Sequence, residues 1–235
     1  MFPIGDDNSD RTITPIVNYA FIGINILVFV LLQGLGGNDA FSYAFSLVPR
    51  EVTTGVDLSG VQVVRDALGN TGEVRHYPTP LPVYFNFLSS MFMHGSIMHI
   101  FGNMLFLWIF GDNLENLLGH IRYAIFYIVC GFAAAIAQII MGPDSIIPML
   151  GASGAISGVL GGYVLLFPQR QVRALIFNFL TTVPAFVAIG IWIVYQLILG
   201  YMTDPGTGGV AYAAHIGGFI AGVALIKLFA IGRRV

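Results

Sequence analysis

The sequence predicts an all-α polytopic membrane protein, a bundle of six transmembrane helices with both termini in the cytoplasm. Three observations carry that prediction. Hydrophobic residues make up 56% of the chain and charged residues 9%, against roughly 25% charge in an ordinary soluble domain; the mean hydropathy is +0.81. Six apolar segments can be counted, each near the roughly 20 residues that cross about 30 Å of hydrocarbon. Lysine and arginine are shared unevenly between the two sides these segments define, which is the bias that orients a membrane protein.

The segments run from about Pro15 to Leu35, Phe85 to Phe110, Tyr123 to Met141, Ser153 to Phe167, Ala174 to Leu199 and Val210 to Ile231. Residues 1–13 read as a polar cytoplasmic tail carrying Asp6, Asp7 and Asp10. The tail lacks a basic stretch leading into a short apolar core, so no cleaved signal peptide is expected. Residues 36–84 form a long outer loop with Pro49, Arg50, Glu51, Arg65, Asp66, Glu73 and Arg75, too polar to span. Its aromatic and proline content suggests an ordered loop lying on the membrane surface. Residues 85–231 carry helices two to six and 232–235 a second cytoplasmic tail, so a single domain covers 1–235. Arg11, Arg122, Arg170, Arg173, Lys227, Arg233 and Arg234 fall on one side and Arg50, Arg65 and Arg75 on the other. The richer side is cytoplasmic, so segments two, four and six begin at the outer face.

That topology gathers scattered polar residues at one depth. His94, His99 and Asn103 lie near the outer start of segment two, Ser153 at the start of segment four and His215 in the first turns of segment six. Polar side chains inside a membrane are costly and mark function. Segment four is short: its fifteen residues rise only about 22 Å at 1.5 Å each, and Pro168 stops it. Ser153 should therefore begin below the outer surface, where irregular backbone is tolerated only if protein buries it or water reaches it. In Gly151-Ala152-Ser153-Gly154 a hydroxyl stands between glycines at a helix start, with backbone N–H groups free beside it. Small residues in an apolar helix also serve close packing. Here Gly154, Gly158, Gly161 and Gly162 face an answering stripe of Ala211, Ala214, Gly218, Ala221 and Gly222 around His215, so packing and a Ser153–His215 hydrogen bond belong to one arrangement. His99 and Asn103, four apart, share a helix face and carry donors that can meet a developing oxyanion or bond between helices. His94, five residues before His99 and about 140° round the helix, takes a supporting place, as do Gly151 and Gly218.

Other chemistries fit poorly. A net charge of -2 with one lysine and nine scattered arginines offers nucleic acid nothing. The single cysteine, Cys130, can form no disulfide within the chain. No His-Glu-x-x-His occurs, and Asp112, Asp144 and Asp204 are read in loops, so neither a metal nor a paired-aspartate mechanism is expected. No cofactor is expected. A transporter would leave an inverted repeat between the halves, and none is visible.

Together, Gly-Ala-Ser-Gly at 151–154, His94-Gly-Ser-Ile-Met-His99-Ile-Phe-Gly-Asn103 and Ala214-His215-Ile216-Gly217-Gly218 resemble the rhomboid family of intramembrane serine proteases, in the family's order and across essentially all six segments. The resemblance implies a Ser153–His215 dyad without a third acid and an oxyanion hole from His99, Asn103 and the Ser153 N–H, with Gly154 beside the substrate. It also implies cleavage of single-span or polytopic membrane-protein substrates in the lipid bilayer near the outer ends of their helices. A compact six-helix form fits a multi-pass protein of the bacterial inner (plasma) membrane with its site open to the non-cytoplasmic side. The Gly111-Asp112-Asn113-Leu114-Glu115 stretch resembles the family's turn after helix two, where the glutamate is structural. The chain departs from many relatives at Ser157, where an aromatic would stack under the histidine; Tyr212 or a neighbouring aromatic is the expected substitute. The Gly-rich loop Tyr201–Gly209 is expected to act as a lid. The rival reading is a rhomboid-like pseudoprotease that binds membrane clients without hydrolysis.

Overall fold

A computed structural model describes residues 2–65, 71–177, 179–203 and 210–233. In chain order the elements are β1 (Phe2–Asp6), α1 (Ile16–Leu27, extended by a π-helical turn at Val28–Leu32), α2 (Asp39–Ala44), α3 (Pro49–Thr54), β2 (Gly60–Arg65), β3 (Thr71–His76) and α4 (Asn86–Ser89). Then follow α5 (Ile97–Leu118), α6 (His120–Met141), α7 (Ser153–Leu166), β4 (Gln171–Ile176), β5 (Phe179–Pro184), α8 (Ala185–Met202) and α9 (Tyr212–Phe229). Four helices, α5, α6, α8 and α9, are long and apolar enough to cross a membrane; α7 and Ile16–Leu32 are shorter apolar helices.

Three sequence readings need correction. The protein is mostly helical and not purely so, since β1, β4 and β5 form an antiparallel sheet in the order β1-β4-β5 and β2 pairs with β3. The N-terminal tail is thus tied down through Phe2–Leu175 and Asp6–Val172 pairings. The apolar stretch from Ala174 opens as the β4–β5 hairpin and becomes helical only at Ala185, after Pro184. Here the β-branched run Thr181-Thr182-Val183 outweighs apolar content, and proline suits a helix start. Segment two begins at Ile97 and not Phe85: residues 83–92 make short turns, and Ser96 caps α5 by accepting from the His99 N–H at 3.2 Å. Ser96 preceded by Gly95 was the readable stop-and-start signal.

The glycine stripes set the helix packing. A Cβ on Gly218 would strike the carbonyl oxygen of Gly154, and one on Gly222 that of Gly158. Both pairs advance together along the chain, so α7 and α9 run parallel with their backbones in contact, the geometry small residues permit in membranes. On α6, Ala134 lies against Gly154 and Cys130 against Gly158, so α6 runs antiparallel to α7. The starts of α7 and α9 therefore share one end of the bundle.

The opposite end is polar. Glu115 on α5 accepts from the N–H groups of Val17 at 2.9 Å and Asn18 at 2.7 Å and meets His120 Nδ1 at 2.5 Å. It caps α1 and occupies two N–H groups left open at a helix start, a structural role as expected, but from within α5. Gly111–Glu115 is not a turn and Asp112 is not in a loop, since the helix continues past Phe110 to Leu118. Asn18 in turn accepts from Tyr123 Oη at 2.7 Å and donates to Leu107 O at 3.0 Å. β1 reaches this end as well. Asp6, buried, accepts from Asn113 Nδ2 at 2.7 Å and Tyr163 Oη at 2.5 Å. Burial pushes the Asp6 carboxyl up from its ordinary 3.8 to about 7, against the Tyr163 hydrogen bond, which lowers it. A carboxyl raised on folding binds its proton more tightly in the native state, so its contribution to stability is present below about pH 4 and is lost as pH rises through about 7. Asp6→Asn is expected to flatten that part of the melting-temperature profile between pH 4 and 8, measured on the full chain in detergent or nanodiscs; an unchanged slope would remove Asp6 from the balance.

Candidate active site

The short loop before α7 delivers the serine. Gly151 sits at φ 130°, a left-handed conformation that L side chains rarely adopt, and a Cβ there would lie 2.9 Å from His99 Cε1 and Nε2. Its N–H donates to Ser90 O at 2.9 Å, tying the loop to the turn before α5. Ser153 is then the first residue of α7, where the N–H groups of a first turn have no intrahelical acceptor. Ser153 Oγ and His215 Nε2 are 2.8 Å apart, within hydrogen-bond range for a hydroxyl and an imidazole. The parallel glycine seam of α7 and α9 brings them together.

α5 supplies the facing groups. His99 and Asn103 line the same cavity of about 970 Å³ as Ser153 and His215, on one side of α5 as their spacing requires. Asn103 is buried, and its Nδ2 has no hydrogen-bond partner among the described residues. Such a group costs about 1–3 kcal/mol unless something fills its place. His99 Nδ1 accepts from Gly95 N–H at a long 3.4 Å. That contact suits a ring with its proton on Nε2, the nitrogen beside Gly151.

His94 is not where helical spacing placed it. It lies in the extended link before Ser96, so the angle of about 140° from His99 does not apply. Its ring is wholly buried edge-on to His99, centroids 5.1 Å apart, and both ring nitrogens lack partners among the described residues. Its backbone is held by Gln33, whose Oε1 accepts from His94 N–H and whose Nε2 donates to His94 O, each at 2.9 Å. Gly154 and Gly218 are packing positions, against Ala134 and against the Gly154 carbonyl. Gly154 itself is buried and is not among the residues lining the cavity.

The group that holds the histidine ring was not foreseen. Gln196 on α8 places Oε1 2.7 Å from His215 Nδ1. Trp192 and Tyr212 approach the ring at centroid distances of 6.0 and 6.4 Å, tilted by 36° and 86°, so neither stacks on it. The Ser157 hydroxyl donates instead to Ser153 O at 2.6 Å. A polar Gln196 four residues after Trp192 in an apolar run was the available signal. Of the expected lid, Tyr201 and Met202 close α8 and Thr203 follows it, while 204–209 lie outside the described residues. Tyr201 and Thr203 line the cavity.

Gly151→Ala is expected to lower any activity of this site at least tenfold and stability by about 1–3 kcal/mol, through strain and overpacking against His99. Turnover and thermal unfolding measured side by side check it; full activity would mean that the loop and His99 adjust freely.

A family model described as Rhomboid domain matches residues 82–231. The chain is 32% identical over 217 residues to "Rhomboid protein 1, mitochondrial" of Saccharomyces cerevisiae, covering 87% of this chain and 51% of the relative. It is 28% identical over 227 residues to "Rhomboid protease GluP" of Bacillus subtilis, covering 94% and 37%. A shorter match, 36% over 88 residues, covers 37% of this chain and 6% of "Inactive rhomboid protein 1" of Drosophila melanogaster. The chain spans about half or less of the length of these relatives.

Proposed function

The chain belongs to the rhomboid family, and on that premise we propose that it is an intramembrane serine endopeptidase that cuts membrane-protein substrates, single-span or polytopic, near the outer ends of their helices. The observation that carries this reading is the 2.8 Å approach of Ser153 Oγ to His215 Nε2 beside a cavity that His99 and Asn103 also line. His215 Nε2 takes the Oγ proton as Oγ bonds to the scissile carbonyl carbon. The carbonyl oxygen becomes an oxyanion, met by Asn103 Nδ2, His99 Nε2 and the Ser153 N–H. His215 returns its proton to the departing amine, leaving an acyl-enzyme. A water then repeats the sequence, releasing the acid and restoring the serine.

In this reading Pro15–Leu35 and α5 to α9 provide six spans of a single domain over 1–235. Both termini face the cytoplasm, with the basic end of the bundle, and the cavity opens to the non-cytoplasmic side of a plasma membrane. The N-terminal strand's pairing with β4 supports one packed unit. The rival, a client-binding pseudoprotease, gains weight from the relative named inactive; the retained serine and histidine favour hydrolysis. Incubating the full chain in liposomes with a panel of single-span substrates, and mapping products by mass spectrometry, is expected to give a discrete internal cut at the outer part of a substrate helix. Tight binding of those substrates without any cut would favour the rival.

A further inference from the structure

Gln196 is buried on α8, with Oε1 2.7 Å from His215 Nδ1, while the opposite ring nitrogen faces Ser153 Oγ at 2.8 Å. An amide oxygen only accepts a hydrogen bond. The Nδ1 that faces it must therefore carry the proton, which leaves the Nε2 lone pair for the serine hydroxyl. We propose that Gln196 is a positioning residue that holds His215 as the Nδ1–H tautomer with Nε2 aimed at Ser153. It does for this ring what the buried acid does in a Ser-His-Asp triad. The inference rests on the reading of Ser153 and His215 as a dyad.

The surroundings leave this task to Gln196. Neither Trp192 nor Tyr212 stacks on the imidazole, and an aromatic face cannot choose between ring tautomers. The Ser157 hydroxyl is spent on the Ser153 carbonyl. Neutrality suits the site too, because a carboxylate within an apolar helix would be a costly buried charge. When the Oγ proton moves to Nε2, Nδ1–H still donates to Oε1, now from a cationic ring, and such charge-assisted bonds are about twice as strong. The amide thus favours the state in which the proton has been transferred.

The test uses the full chain in nanodiscs with ¹⁵N-labelled histidine, the His215 resonances being identified by their loss in His215→Ala. Near neutral pH the wild type is expected to show a protonated Nδ1 and a bare Nε2. Gln196→Leu should give mixed tautomers and lower kcat on the order of 10- to 100-fold, the scale seen when the hydrogen-bond partner of a metal-bound histidine is removed, with KM within about twofold. Gln196→Glu keeps the acceptor and should keep the Nδ1–H tautomer; if the leucine variant does not fold, loss of that tautomer in the glutamate variant overturns the proposal. A wild-type Nε2–H tautomer, as an amide turned the other way would impose, overturns the proposal. So does a leucine variant with unchanged tautomer and kcat. If the wild type cleaves nothing, the dyad reading fails, and the tautomer spectra still decide the role of Gln196.

Discussion

Ser153→Ala is expected to lower cleavage by about 10⁴-fold or more, the scale set by removal of nucleophiles from serine proteases, while the melting temperature stays within a few degrees. The reason for the second half is local. Ser153 Oγ has His215 Nε2 as its described partner, and the helix start is fixed by other groups: Gly151 N–H on Ser90 O and the seam of Gly154 and Gly158 against Gly218 and Gly222. Loss of the hydroxyl costs the fold one partly buried hydrogen bond, roughly 1 kcal/mol, against the nucleophile itself. Cleavage of a substrate helix and thermal unfolding of the same preparation measure both. Cutting by pure alanine protein within about tenfold of the wild-type rate would move the nucleophile elsewhere.

Asn103→Ala is expected to lower kcat by about 10²–10³ with little change in KM, the effect of losing one oxyanion donor. Stability should move the other way or not at all. Asn103 is buried with Nδ2 unpartnered among the described residues, so the native fold carries a desolvated N–H₂ that alanine removes. Opposite signs for activity and stability separate this role from packing. A helix-bridging asparagine would lose both on substitution. A rise in KM at constant kcat would assign Asn103 to ground-state binding.

Much of the architecture could be read from the residues because apolar length and glycine spacing are strong signals. Gly154, Gly158, Gly218 and Gly222 meet as their spacing foretells, and that meeting positions the serine and histidine. Errors arose where apolar composition hid a change of backbone. Residues 83–92 are rich in aromatic and aliphatic side chains, yet they fold as short turns, and the Gly95-Ser96 pair delays α5 until Ile97. Ala174–Pro184 is apolar enough to span, but edge pairing with β1 makes it a hairpin. His94 was misplaced for the first of these reasons. Gln196 and Gln33 escaped notice for another. Each acts across the bundle, on His215 and on the His94 backbone, and a single glutamine in an apolar run does not announce which distant group it will meet. Asp6 belongs with them, since only the docking of β1 buries it beside Tyr163 and Asn113.

Labelling of the folded full chain with a fluorophosphonate, followed by peptide mass spectrometry, probes the serine and its base in one step. The phosphonyl adduct is expected on Ser153, forming in wild type and falling to background in His215→Ala at equal folded protein. An adduct on another serine, or equal labelling of Ser153 with and without the imidazole, would break the link between the 2.8 Å contact and the chemistry assigned to it.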